Sequence, residues 1–145
     1  MTLRKWLTTG GIAAIVLIVG YVFFFWYMTR VTIKEVSGKR FLPEIFNQSL
    51  RTKTIMVMIE LPPHNFIKEP LNITHEFDPS DPIMFEIPVG TPLMFTKAYS
   101  RYSAVAGNTS YAFVGTIEVN GKSYPVEWLW EKGESEKAVF EKMNP

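Results

Sequence analysis

His75, Glu76 and Asp78 are the first residues whose types and spacing suggest chemistry. An imidazole with two nearby carboxylates offers ligands to a transition metal, and His64 lies upstream in the same proline-rich stretch. Two scattered histidines in such loops are, however, more often exposed and inert. We therefore predict no bound metal and no other cofactor, and keep this cluster as an alternative.

Four methionines extend that alternative to copper, because thioethers are soft ligands that select Cu(I). They are Met56, Met58, Met84 and Met94. All four lie in strand-like apolar runs, where methionine is ordinary core filler. The alternative function is thus an extracytoplasmic ligand- or metal-binding module, such as a membrane-anchored copper assembly factor.

Other reactive arrangements are weaker. Asp78, Asp81 and Glu86 lack the regular ligand spacing of a calcium loop. No serine lies in a nucleophile elbow, no glycines form a phosphate loop, and the chain has no cysteine. The sequence therefore predicts a protein that is not an enzyme. Three glycosylation sequons matter only in a eukaryotic secretory lumen; they begin at Asn47, Asn72 and Asn108.

The strongest signal for a structural element is the uncharged apolar run from Gly10 to Met28. As a helix its roughly 19 residues span about 28 Å, close to the hydrocarbon thickness of a bilayer. Trp6 before the run, and Trp26 and Tyr27 at its end, are typical interfacial anchors. A cleaved signal peptide has a shorter run that ends in small residues, whereas this one ends in bulky aromatics. We predict a retained, single-pass signal-anchor.

The anchor also suggests a packing site and an orientation. Gly10 and Ala14 are small residues four apart, a spacing that lets a neighbouring helix approach closely. A short N-terminal tail is easily left inside, and a long domain can be translocated despite its charge. We therefore predict residues 1–30 to be tail and anchor, and residues 31–145 to be a β-rich domain in the periplasm or another extracytoplasmic space.

Runs of alternating or continuous apolar residues, bounded by proline and glycine, predict short strands after the anchor. The predicted fold is a small antiparallel β-sandwich or barrel-like domain with a short C-terminal helix. The strand segments are 31–36, 54–61, 83–89, 93–99 and part of 67–77, and short helices are predicted over 43–50 and 134–143.

The clearest local pattern is a hairpin over residues 111–131, where two alternating runs flank Asn120-Gly121. That pair favours a two-residue type I′ turn, which sets the register of the strands. The register places the aromatic residues on one face, predicted to be buried; they are Tyr111, Phe113, Tyr124, Trp128 and Trp130.

The opposite face of the hairpin carries polar residues and is predicted to face water. Its members are Thr116, Glu118, Ser123 and Glu127. Within the aromatic face, Gly115 lies opposite Val126 and is predicted to leave room for a bulky side chain from another element.

Since no reactive arrangement outweighs its structural explanation, we predict a non-catalytic accessory or scaffold subunit of a multi-subunit membrane complex. Such a complex would be of the energy-transducing, transport or secretion type. The predicted partners are membrane lipid and other membrane-protein subunits. Aromatic residues make up 14% of the chain and dominate interface energetics. Nucleic acid is excluded as a partner, because a net charge of +1 leaves no basic footprint.

Overall fold

The computed structural model describes residues 3–43, 45–63, 65–130 and 136–143, without the side chains of 3–10 and 136. The first element is helix α1, Leu3–Thr29, whose described side chains from Gly11 to Tyr27 are all exposed. By length and composition α1 fits a membrane span, and a signal sequence near an N-terminus fits the same description. The helix ends where the Thr29 hydroxyl donates to the carbonyls of Phe25 and Trp26.

The remainder of the described chain is mostly strand, as predicted. The nine strands described are β1 (Val31–Glu35), β2 (Leu50–Thr52), β3 (Met56–Glu60), β4 (Leu71–Thr74), β5 (Ile83–Ile87), β6 (Pro92–Ser103), β7 (Asn108–Val119), β8 (Lys122–Trp130) and β9 (Phe140–Lys142). A short helix, α2 (Glu136–Val139), precedes β9.

The strands form one curled, half-barrel sheet. Its order is β5-β3-β4-β8-β7-β6-β2-β9, and β1 pairs with β6 beside this path. The sheet is mixed, because β4 and β8 pair in parallel through Asn72 and Glu127. β5 and β9 end the order and are therefore edge strands.

Close contacts divide the chain into two compact units. The first comprises Met1–Thr32 and Tyr102–Asn108, the second the remaining residues. The predicted division into 1–30 and 31–145 stays a prediction.

The hairpin prediction is confirmed in every pair. β7 and β8 pair Tyr111 with Trp130, Phe113 with Trp128, and Ile117 with Tyr124. Asn120 and Gly121 have φ values of 52° and 72°, both in the left-handed region that a type I′ turn requires.

Of the two helices predicted after the anchor, the one over 43–50 is wrong, and the short C-terminal one is confirmed but is shorter than predicted. Residues 43–50 form no helix in their described part, since Phe46 bridges to Phe95 and Leu50 begins β2. The C-terminal helix is only four residues long, because Phe140 leaves it to pair with Thr52 of β2. Residues 134 and 135 of that prediction lie outside the described residues. In both places strand pairing satisfies backbone groups that a short, marginal helix would otherwise hold.

The aromatic face of the hairpin lies against the core. Trp128 is buried, and its ring centroid lies 4.8 Å from that of Phe140, 5.6 Å from Phe113 and 6.0 Å from Phe95. Phe113 also packs against Phe46, with ring centroids 5.0 Å apart. Most of the aromatic side chains of this face therefore stabilise the domain and are unavailable to a partner.

The space next to Gly115 is filled differently from the prediction. A Cβ there would lie 2.0 Å from the carbonyl oxygen of Met94 and 2.7 Å from Cα of Phe95, both backbone atoms of β6. The space is therefore filled by the neighbouring strand, not by a bulky side chain. Glycine at this position allows β6 to approach β7 closely where the sheet curls.

Candidate functional site

Glu127 is the most unusual polar residue in the described structure. It was predicted to face water, but it is fully buried at 0% exposure, which corrects that prediction. Its strand β8 lies between β7 and β4 in the sheet. Residues 67–69, in the loop between β3 and β4, cover its carboxylate.

Three backbone groups hold this carboxylate. The N–H of Ile67 donates to Oε1 at 2.9 Å, and the N–H groups of Lys68 and Glu69 donate to Oε2 at 2.7 and 3.2 Å. Hydrogen bonds to a charged acceptor are about twice as strong as neutral ones. Glu127 therefore fastens the loop between β3 and β4 to the outer face of the sheet.

Other contacts stabilise the same loop. Its ends are joined where the Leu61 N–H donates to the Pro70 carbonyl at 2.8 Å. The ammonium of Lys68 lies 5.1 Å from the ring centroid of Tyr99 on β6, within cation–π range. These contacts give Glu127 a structural role as a loop anchor. Sequence reasoning missed it, although an acidic residue inside a strongly apolar strand was an available signal.

The residues of the alternative metal site do not form a cluster where the structure describes them. Among the residues that the structure describes, no group of three or more His, Asp or Glu side chains is placed to hold a metal ion. The half-buried His75 has Nε2 3.9 Å from Oε1 of Glu76, and His64 lies outside the described residues. Met56 and Met58 are core residues, whereas Met84 and Met94 are exposed on strands five places apart in the sheet order.

Asp78 and Asp81 form a turn in the described structure. The Asp78 carboxylate accepts from the Ser80 hydroxyl at 2.6 Å and from the Ser80 N–H at 2.8 Å, and these bonds lower the pKa of Asp78. Asp81 accepts from the Asp78 N–H at 2.8 Å. The turn lies between Phe77 and the start of β5 at Ile83.

The edge at β5 carries exposed apolar side chains. Its register against β3 shifts between Met58 and Ile59, so that Met84 has no partner residue on β3. Met84 is 48% exposed, its neighbour Ile83 is also exposed, and so is Phe77, which precedes the turn that leads into β5. We call Phe77, Ile83 and Met84 the β5 patch. The irregular edge favours contact through side chains over continuous strand pairing, because bulges disrupt edge-to-edge hydrogen bonding.

A cleft of about 370 Å³ lies near the opposite edge of the sheet. Its apolar floor includes Ile45, Leu50 and Phe140. Its rim carries three lysines and one glutamate, which are Lys53, Lys137, Lys142 and Glu141. The ammonium of Lys53 donates to the Lys137 carbonyl at 2.8 Å. Such a cleft suits a small anionic group with an apolar part.

The remaining predicted site residues lie in α1. Ala14, Trp26 and Tyr27 are exposed on this helix, whereas the surroundings of Trp6 and Gly10 lie outside the described residues. The guanidinium of Arg30 lies 5.6 Å from the Trp26 ring centroid. The roles predicted for these five residues, in helix packing and interfacial anchoring, stay predictions.

The asparagine side chain of the sequon at Asn72 is inaccessible in the folded chain, because Asn72 is buried in β4.

Comparisons with protein-family models, with curated protein sequences and with solved structures found no match. The features of this chain that bear on function are therefore α1, the β5 patch and the buried carboxylate of Glu127.

Proposed function

We propose that this protein is a single-pass, membrane-anchored scaffold subunit whose β-domain holds a second membrane-protein subunit through the β5 patch. The observation that carries the proposal is an edge strand with exposed Ile83 and Met84, preceded by exposed Phe77, in a domain most of whose aromatic residues pack in or against the core. Isolated exposed apolar residues are ordinary, whereas a group of them at one sheet edge is typical of interaction surfaces.

The anchor contributes to the same function. Ala14 lies on an exposed helix, and small residues four apart favour helix–helix contact within a bilayer. No step of this proposal requires catalysis by the chain. The partner is expected to be a membrane protein that contacts the anchor and the β5 patch together, since two linked contacts bind more tightly than either alone.

Co-purification tests this association. Met84→Glu should reduce the amount of partner retained after mild detergent extraction several-fold, because losing an interface anchor costs more than about 1 kcal/mol. Ala14→Leu should also loosen the assembly by blocking close helix approach. The readout is the amount of partner that stays with the full chain relative to the unmodified protein.

Two matched controls accompany these variants. Met143→Glu places the same charge on an exposed methionine after β9, at the other end of the sheet order. Ile15→Leu conserves volume in the helix. Both controls should retain the partner, and full retention in Met84→Glu and Ala14→Leu as well would refute the scaffold function.

We further propose that the β-domain lies outside the cytoplasm. Ser123 is exposed, and the chain has no cysteine, so Ser123→Cys creates a single thiol. A membrane-impermeant maleimide should label it in intact cells that express the full chain, while Thr2→Cys reacts only after lysis. The reverse pattern would place the domain inside. A labelled species lighter than the full 16.7 kDa chain would show that the anchor is removed.

The alternative is an extracytoplasmic ligand-binding module. The lysine-rimmed cleft favours this alternative, since its charge and apolar floor suit an anionic amphiphile. Loss of activity in cells carrying Lys53→Ala, together with full partner retention in Met84→Glu, would favour it over the scaffold function.

A further inference from the structure

The hairpin formed by β6 and β7 carries an uncharged, exposed tip. The two strands are 12 residues each, and the segment 102–108 between their main parts reads YSAVAGN. Val105 is 65% exposed and Tyr102 is 46% exposed. The tip has a defined turn, because the Gly107 N–H donates to the Ser103 carbonyl at 2.9 Å and Gly107 has a φ of 64°.

The pairing of β6 with β1 shows where this tip points. The Val36 N–H donates to the Ala98 carbonyl at 2.8 Å, and the Ala98 N–H donates to the Ser37 hydroxyl at 2.9 Å. Further along, the Ser100 hydroxyl donates to the Lys34 carbonyl at 3.5 Å. Residue numbers fall along β1 as they rise along β6, so the two strands run antiparallel.

If this register continues for two more residues, Tyr102 lies opposite Thr32, and the turn lies near the end of α1. Strands advance about 3.3 Å per residue, so the chain from Ala98 to Val105 returns roughly as far as the chain from Val36 back to Arg30. An independent observation agrees, since 102–108 belongs to the same compact unit as the helix and residues 30–32.

This unit carries exposed apolar and aromatic side chains both at the end of the helix and on the tip. Tyr27 and Val31 are exposed at the end of the helix, as are Tyr102 and Val105 on the tip. The residue between helix and strand is Arg30. Tyrosine, small apolar residues and a flanking arginine are the composition favoured where hydrocarbon meets headgroups.

We propose that the β6–β7 tip inserts into the lipid interface as a second membrane contact, next to the helix. This inference rests on the proposed function in one respect, that α1 spans the membrane. The occupant of the tip is lipid, because the tip is continuous with the end of the anchor and carries no charge from 102 to 108. Its side chains would lie within the boundary zone, about 5–10 Å deep, that interfacial elements occupy.

Depth-dependent quenching tests the inference on the full chain. Single cysteines at Val105, Val89 and Leu17 are labelled with an environment-sensitive fluorophore, and each variant is reconstituted in phosphatidylcholine–phosphatidylglycerol vesicles. Val89 is the matched control, an exposed valine in another turn of the β-domain. Leu17 reports the middle of the helix.

At position 105 the probe should be quenched by spin-labelled lipid, and its quenching by aqueous iodide should be severalfold weaker than at position 89. Iodide quenching equal to that at position 89, with lipid quenching intact at position 17, would overturn the inference and leave the anchor in place. Protection from both quenchers would also overturn it, because protein would then cover the tip. Absence of lipid quenching at position 17 would instead refute the proposed membrane span.

Discussion

Replacing Trp128 by alanine should lower the free energy of unfolding by about 3–5 kcal/mol, because a large buried aromatic leaves a cavity that its neighbours fill only in part. Trp128 is 2% exposed and contacts Phe95, Phe113 and Phe140, which lie on three further strands. The loss would therefore weaken packing across much of the sheet. Chemical denaturation of the full chain in detergent, followed by circular dichroism, measures the change.

The control for this prediction is Thr116→Ala on the outer face of the same hairpin. Thr116 is exposed opposite Pro125, so its removal should change stability by no more than about 0.5 kcal/mol. An equal loss in the Thr116 and Trp128 variants would contradict the position of the core. Trp128→Phe should recover part of the stability, because it restores aromatic packing.

Replacing Glu127 by alanine should cost about 3 kcal/mol, since it removes the acceptor for three backbone N–H groups, each costing about 1–3 kcal/mol if left unsatisfied in a buried place. Those donors belong to Ile67, Lys68 and Glu69. A glutamate that faced water, as the alternation of side chains predicts for Glu127, would instead change stability by no more than about 0.5 kcal/mol.

A local readout separates loss of the loop anchor from general destabilisation. Without the carboxylate, trypsin should cleave after Lys68 faster under native conditions, because local opening of the loop becomes easier. Glu118→Ala is the matched control, a glutamate exposed on the neighbouring strand β7. Glu127→Gln should have an intermediate effect, as its amide keeps one acceptor oxygen. Unchanged stability and unchanged cleavage in Glu127→Ala would contradict the anchor role.

Trp128 and Glu127 are neighbours in β8, and their side chains point to opposite faces of the sheet. One face carries the aromatic core, and the other is covered at Glu127 by the loop between β3 and β4. With both faces used in this way, the β5 patch and the β6–β7 tip are two places where apolar side chains stay exposed. That distribution supports our proposal that the chain associates with membrane and protein partners.

Local sequence patterns were sufficient to predict several elements. An uncharged apolar run predicts α1 because a helix satisfies its backbone groups internally, whatever surrounds it. Asn120-Gly121 predicts the hairpin and all of its pairs because the turn and the alternation of side chains are set within about twenty residues. For the candidate site, the anchor residues and the aromatic face follow from the same local signals.

Contacts between distant segments of the chain decided the features that local patterns did not predict. Glu127 is buried because β4 and its preceding loop, about sixty residues earlier, lie against β8, and no local pattern encodes that pairing. Residues 43–50 and 140–142 carry helical or ambiguous patterns, yet they join β6 and β2, because a sheet edge offers hydrogen bonds that a short helix lacks. The β5 patch likewise depends on the position of β5 at the end of the sheet order. The sequence by itself determined the elements whose hydrogen bonds close within one segment, and the tertiary structure decided those whose partners lie far along the chain.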